Sequence, residues 1–280
     1  MTRSHALTLA LLGVPSLHYA AEQTVPLMLA TNYSQGRDVS GLWYSEKYDG
    51  IRVFWDGQQM LSRSGLPLAI PDSLLAELPK QQLDGELWLG RGQFESLLGL
   101  VKRGQPADPD WQTLRFMVFD RPDFPGDYQL RYQQLPALLA DVSWAEVVQY
   151  QAVADPDFLR KQLMSVEQQG GEGLIIRDPQ SLYIPGRSQG FIKYKTYQDG
   201  EAKVVGYSPG KGKYQGMLGA LIVEAADGRR FKLGSGFSDE QRRNPPELGS
   251  WVEYHYNGLT GNDTPRFARF VRDLSELSTR

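Results

Sequence analysis

The chain has 280 residues, 41% of them apolar and 22% charged, with 29 glycines and 17 prolines. That balance fits a globular protein of one large or two ordinary domains and excludes collagenous, coiled-coil and disordered chains. With no cysteine and three histidines (His5, His18, His255), disulfide frameworks, thiolate zinc sites, Cys nucleophiles and multi-His metal centres fall away. Any catalysis must run on lysine, carboxylates, hydroxyls and backbone amides.

Taken in chain order, the N-terminus has the layout of an export signal. A short basic start (Arg3, His5) precedes an apolar run over residues 6–17 that contains Pro15, and then the small pair Ala20-Ala21. The run is too short to span a bilayer. The order predicts cleavage near Ala20 or Ala21 and a soluble periplasmic protein starting near Glu22; without cleavage the same chain would be cytoplasmic.

Residues 42–48 and 51–55 are apolar and aromatic runs broken by Asp49-Gly50 and followed by Asp56-Gly57, the grammar of strands and tight turns. Strands are predicted over 83–89 and 114–120, the second a nearly continuous apolar run of the kind buried on both faces. Helices are predicted over 93–101, 131–139 and 158–168, the last ended by Gly170-Gly171, with strands again over 173–177 and 190–195. From about residue 200 the pattern changes to short strands (202–207, 220–224, 231–233, 251–256) separated by Gly/Pro turns, which predicts a small antiparallel barrel. A boundary and hinge at 196–200 therefore divides a mixed α/β domain from an all-β one. Net charge is −3, yet Arg187 to Arg243 holds eleven Lys/Arg against six acids, leaving +5 there and −8 elsewhere. Such a stretch is a candidate phosphate-backbone footprint, or a sheet edge guarded by lysines.

The sharpest local feature is Ser45-Glu46-Lys47-Tyr48-Asp49-Gly50-Ile51-Arg52. Lysine is a nucleophile only when its amine is neutral, which requires burial or neighbouring cations to lower its pKa. Alone, this is an ordinary charged hairpin. Downstream, however, come Ser62-Arg63-Ser64-Gly65, Leu83-Asp84-Gly85-Glu86-Leu87, Phe116-Met117-Val118-Phe119-Asp120, Glu172-Gly173-Leu174-Ile175-Ile176-Arg177 and Phe191-Ile192-Lys193-Tyr194-Lys195. Each sets a charged or aromatic residue at the margin of an apolar strand. Together they ask for one site with carboxylates for Mg²⁺, cations for phosphates and an aromatic plane for a purine.

In this order and spacing the chain resembles the ATP-dependent DNA ligases, of the nucleotidyltransferase superfamily that also holds RNA ligases and mRNA-capping guanylyltransferases. The resemblance covers about residues 25 to 272. It implies an α+β nucleotidyltransferase fold, an ATP-grasp-like adenylation domain over 22–198, followed by an all-β OB-fold barrel over 199–280, with 1–21 as the signal peptide. It implies Lys47 as the residue that forms a covalent lysine–adenylate. Ser45 would lie in the nucleotide site, and Arg52 and Arg63 at the phosphate and ribose. Glu86 would meet the ribose hydroxyl or a metal, Phe119 would stack on adenine, and Glu172 would bind metal. Lys193 and Lys195 would contact the α-phosphate, with Arg187 as a further phosphate-binding arginine and Asp49 supporting the lysine loop.

Gly210-Lys211-Gly212-Lys213, Gly234-Ser235-Gly236-Phe237 and Pro265-Arg266-Phe267-Ala268-Arg269-Phe270 resemble the ligase barrel and its final basic motif. Lys211, Lys213, Arg266 and Arg269 would then grip the duplex backbone, a salt-sensitive contact. The implied cofactors are ATP and Mg²⁺, for which Mn²⁺ can substitute, and the implied partner is nicked double-stranded DNA bound by a monomer. The absence of a preceding helical DNA-binding domain fits a minimal, exported bacterial ligase. Two other readings stand beside it: an RNA ligase or capping enzyme, and a single-strand-binding barrel with Tyr207, Tyr214 and Phe237 as stacking platforms. A Gly-rich phosphate-loop NTPase is excluded, because no Gly-x-x-x-x-Gly-Lys-Ser/Thr occurs.

Overall fold

The structure is a computed structural model that describes residues 25–274; the predicted export signal lies outside the described residues. Two five-stranded sheets come first. The strands β1 (Met28–Asn32), β2 (Trp43–Glu46), β8 (Gln151–Ala152), β9 (Leu174–Arg177) and β10 (Gly186–Tyr194) form one, in the order β1-β10-β9-β2-β8. The strands β3 (Ile51–Trp55), β4 (Met60–Ser62), β5 (Leu83–Trp88), β6 (Arg115–Asp120) and β7 (Ala145–Val147) form the other, in the order β4-β3-β5-β6-β7.

Period-two alternation decides what each sheet faces. In β9, Leu174 and Ile176 are fully buried against Leu159 and Leu163 of α4 (Pro156–Gln168), and Ile175 points the other way into a cavity. In β6, Phe116 and Val118 join a core with Leu97 and Leu100 of α2 (Phe94–Arg103) and Leu135 of α3 (Tyr128–Leu138), while Phe119 faces that same cavity. Each such fully buried side chain contributes about 1.5–3 kcal/mol. The two sheets thus turn their polar-bearing faces toward one another across a cleft. The short α1 (Asp72–Leu75) closes one end of the second core, where Trp144 Nε1 donates to the Leu74 carbonyl at 3.0 Å.

Helix ends follow their caps. Asp155 accepts from Phe158 N at 2.7 Å, so α4 starts at Pro156, two residues before the predicted start; Asp127 likewise accepts from Leu130 N and moves the start of α3 to Tyr128. Among the described residues, no helix is long and apolar enough to cross a membrane.

The third sheet is all antiparallel: β11 (Gln198–Pro209), β12 (Leu218–Ala225), β13 (Arg230–Leu233), β14 (Trp251–Tyr256) and β15 (Arg269–Asp273), in the order β13-β12-β11-β14-β15. Its edges meet through the single bridge Ser235–Arg269, where Phe270 N donates to the Ser235 carbonyl at 2.9 Å. The barrel is therefore partly open, as OB folds are. A short α5 (Asp239–Arg243), absent from the sequence reading, starts on a Ser238/Gln241 capping box. It sends Arg242 into one end of the barrel to donate to the carbonyls of Leu218, Gly219 and Gly234.

The strand β11 begins at Gln198, four residues earlier than predicted, and pairs Gln198, Asp199 and Gly200 with Tyr256, His255 and Tyr254. A Cβ at Gly200 would lie 2.4 Å from the Tyr254 ring, so glycine lets the ring cover the strand. The stretch between β10 of the first sheet and β11 of the third thus shrinks to residues 195–197.

Candidate active site

Lys47 sits on the crossover between the two facing sheets. β2 ends at Glu46 and β3 begins at Ile51, and Lys47 N donates to the Gly173 carbonyl at 2.8 Å, which anchors the crossover to β9's entry. Gly50 is fixed by space: a Cβ there would lie 2.0 Å from the Leu87 carbonyl oxygen and 2.9 Å from Glu86 Cγ. This is the physical reason a glycine follows Asp49.

The Lys47 ammonium donates to Glu172 Oε2 at 2.5 Å, and Lys195 donates to the other oxygen of Glu172 at 2.8 Å. Lys195 also donates to both oxygens of Asp199 at 2.7 Å, and Lys193 reaches Asp199 at 3.2 Å. Burial works to lower the Lys47 pKa, but the carboxylates of Glu172, Glu86 and Asp49 outweigh it, and the amine is held in its charged form above its ordinary range. The sequence reading asked for the opposite shift. The physical reason is that three carboxylates converge on the amine, and the neighbouring cations are already spent on Glu172 and Asp199. Burial pushes Glu86 up to about 8 despite Lys47 and Arg52. Burial also works to raise Glu172 and Asp199, but their lysine partners win: Glu172 is lowered and Asp199 falls to about 2.

Beside Lys47 lies a cavity of about 290 Å³. Of the residues expected around a nucleotide, Ser45, Lys47, Arg52, Arg63, Glu86, Phe119, Arg187 and Lys193 line it. Lys195 does not; its side chain is 4% exposed and turned to Glu172 and Asp199. Arg52 is fixed by a two-pronged pair with Asp84 (3.0 and 2.7 Å) and a bond to the Met28 carbonyl, and lies 5.2 Å from the Phe119 ring centroid and 5.4 Å from that of Phe191. Asp84 is fully buried and also accepts from Tyr183 Oη at 2.8 Å.

A wider cleft of about 1020 Å³ continues from Lys47, Asp49, Glu86 and Glu172 to the third sheet, where Asp199, Glu253 and Arg272 line it. Arg272 joins Glu253 (2.6 Å) to Asp49 (3.3 Å) and lies 3.6 Å from the Phe94 ring centroid. Asp199, Glu253 and His255 bring possible ligand atoms within 4.8 Å of one another. The carboxylates of Asp199 and Glu253 already hold Lys193, Lys195 and Arg272, and those of Glu172 and Asp49 likewise hold Lys47, Lys195 and Arg272. Glu86, pushed toward neutrality by burial, lines the same cleft wall, so a divalent ion taking Glu86 and Glu172 as oxygen donors would have to displace lysine from Glu172.

Lys211 and Lys213 stand exposed on the turn between β11 and β12, and Arg266 is exposed beside Phe267. Arg269 is half-buried, donates to Asn257 at 2.9 Å and lies 5.1 Å from the Tyr197 ring centroid. Sequence reasoning missed Asp84, Asp199, Glu253 and Arg272. Asp84 carried a signal, an acid enclosed by an apolar strand. Arg272 carried a weaker one, two residues past Phe270 on an alternating strand.

Residues 28–195 match the ATP dependent DNA ligase domain family, and residues 209–273 match the DNA ligase OB-like domain family. The DNA ligase of Haemophilus influenzae is 35% identical over 249 residues, covering 88% of this chain and 91% of that protein. A Lig E DNA ligase, solved in a study of DNA binding with a minimal scaffold, is 40% identical with a TM-score of 0.61, covering 88% of this chain and 98% of that one. The Chlorella virus DNA ligase–adenylate shares the fold, at 24% identity and a TM-score of 0.53 over 89% of this chain and 98% of that one. With both domain matches in sequence and a relative aligned over nearly its whole length, the chain belongs to the ATP-dependent DNA ligases.

Proposed function

We propose that Lys47 is the nucleophile with which this ligase seals 5′-phosphate/3′-hydroxyl nicks in duplex DNA. The observation that carries the reading is the position of Lys47 between three carboxylates and a cavity walled by Phe119, Arg187 and Lys193. The cavity takes ATP with adenine against Phe119, the ribose toward Glu86 and Arg63, and the α-phosphate toward Lys193. The Lys47 amine, once it has lost a proton, attacks the α-phosphorus. An N–P bond forms, the bond to the bridging oxygen breaks, and pyrophosphate leaves. Glu86 and Glu172 would hold Mg²⁺ or Mn²⁺, which would supply charge compensation on the phosphoryl oxygens and draw carboxylate charge away from Lys47. Arg187 and Lys193 steady the charge that spreads over those oxygens. AMP then passes to the 5′-phosphate of the nick, and the 3′-hydroxyl attacks that phosphate and releases AMP.

Lys211, Lys213, Arg266 and Arg269 grip the duplex backbone, and the barrel domain beginning near residue 199 pivots about residues 195–197 to receive it. The protein works as a monomer. The order of basic, apolar and small residues at the N-terminus supports export to the periplasm, with the cytoplasm as the alternative; N-terminal sequencing after cell fractionation decides between them. Purified residues 22–280 incubated with α-labelled ATP and Mg²⁺ should carry label through a denaturing gel, and Lys47→Ala should not. Nicked duplex DNA should discharge the label as a longer strand appears. Label that moves to RNA ends alone would assign the RNA ligase class instead.

A further inference from the structure

Arg91 lies outside both cavities, in the tight turn after β5 between Gly90 (φ +122°) and Gly92 (φ +69°). Its guanidinium grips Glu46 with two bonds, Nε to Oε1 at 2.8 Å and Nη2 to Oε2 at 2.7 Å. The remaining nitrogen, Nη1, donates to the Gln169 carbonyl at 3.1 Å and to its side-chain oxygen at 3.2 Å. Glu46 is the last residue of β2, one before Lys47, and belongs to the first sheet. Arg91 follows β5 of the second sheet, and Gln169 caps α4, three residues before Glu172. One side chain thus spans both sheets at the place where the chain crosses between them.

Glu86 and Glu172 have other anchors. Glu86 lies in mid-strand, paired with Arg52 on one side and Met117 on the other, and Glu172 is held by Lys195. Lys47 lies past the last β2–β9 rung, Glu46–Leu174, and has one backbone bond of its own. There is also no spare room around the clamp: a Cβ at Gly171 would lie 3.0 Å from Glu46 Oε1 and 2.5 Å from Val166 Cγ1.

We propose that Arg91 is a positioning residue for Lys47: by clamping Glu46 and the end of α4, it fixes the separation of the two sheets at the crossover and so the line of attack of the amine. The proposal rests on the reading of Lys47 as the nucleophile. A bridge this close to solvent contributes little to global stability, so its loss should leave the thermal midpoint within about 4 °C of wild type. Geometry costs more, since a misplacement of about 1 Å can cost about 10²-fold in rate.

The test compares Arg91→Met, Arg91→Lys, Glu46→Gln and the double variant Glu46→Gln/Arg91→Met. Covalent adenylation and sealing of a pre-adenylated nick, which does not use Lys47 as nucleophile, are measured separately. Arg91→Met should lower the adenylation rate at saturating ATP by about tenfold or more, with KM for ATP within about twofold. Sealing of the pre-adenylated nick should stay within about threefold of wild type. Arg91→Lys should recover part of the rate, because lysine keeps the charge but not the two-pronged grip. The double variant should be no worse than Arg91→Met alone. Unchanged adenylation in Arg91→Met would overturn the proposal. So would equal losses in adenylation and sealing with a lowered midpoint, which would mark a folding contact. Covalent AMP on Lys47→Ala would instead overturn the reading of Lys47, a separate result.

Discussion

Asp120 ties the two sheets together directly behind the aromatic wall of the cavity, and its removal should be among the most damaging single changes in the protein. It ends β6, one residue after Phe119, and is fully buried. Arg131 of α3 donates to it at 2.7 and 3.2 Å, and Arg177 of β9 donates to Oδ2 in a second ion pair. Both arginine side chains are 1% exposed. The Arg177 guanidinium is stacked between the Tyr128 ring (3.8 Å to the centroid) and the Phe191 ring (4.6 Å). Two cations therefore depend on one anion. Asp120→Asn leaves both guanidiniums buried without a countercharge, which costs about 3–5 kcal/mol. At about 2–4 °C per kcal/mol for a chain of this size, the thermal midpoint should fall by about 6–20 °C in a calorimetric scan. Replacing all three groups, Asp120→Leu with Arg131→Met and Arg177→Met, removes the desolvation cost together with the pairs and should recover much of the loss. An Asn variant that melts within about 2 °C of wild type would refute the claim that the buried charges compensate one another, as would a triple variant less stable than the single one.

The barrel's lysines should act on DNA and not on ATP. Changing Lys211 and Lys213 to Ala together removes about two phosphate contacts, so the slope of log affinity against log salt for nicked duplex should flatten by about 1.8; a parallel loss of adenylation would place those lysines in the active site. Glu86, raised by burial to about 8, contributes stability that is complete below the ordinary carboxylate range and lost as pH rises through about 8. Glu86→Gln should therefore gain stability relative to wild type as pH rises from the ordinary carboxylate range to about 8 in metal-free buffer, and a difference between their melting points that ignores pH over that range would contradict the assignment. Gly50→Ala forces a methyl onto the Leu87 carbonyl and should cost about 1–3 kcal/mol or more. The expected variant is less stable by thermal melt and forms no covalent AMP by intact-protein mass.

Much of the site was legible in the sequence because its residues lie at strand margins, where a charge beside an apolar run stands out. Lys47, Glu86, Phe119, Glu172 and Lys193 are of this kind, and alternation along the strands turns most of them into one cleft. What escaped depends on partners distant in the chain. Arg272 meets Asp49 across 223 positions, and no local pattern encodes that pairing. The early start of β11 escaped because Gly200 reads as a turn signal, whereas Tyr254 packs over it. The sense of the Lys47 shift escaped for a similar reason: Asp199, which occupies Lys193 and Lys195, sits on a different sheet. Helix starts missed by two or three residues trace to Asp127 and Asp155, caps that precede the apolar periodicity.

Sealing by the proposed route requires that AMP be carried on Lys47. Peptide mapping by mass spectrometry after incubation with ATP and Mg²⁺, on wild type and Lys47→Ala in parallel, tests it most directly. One AMP per chain is expected, on the peptide containing Lys47, lost on addition of nicked duplex and absent from the variant. AMP found on another residue, or retained by Lys47→Ala, would contradict it.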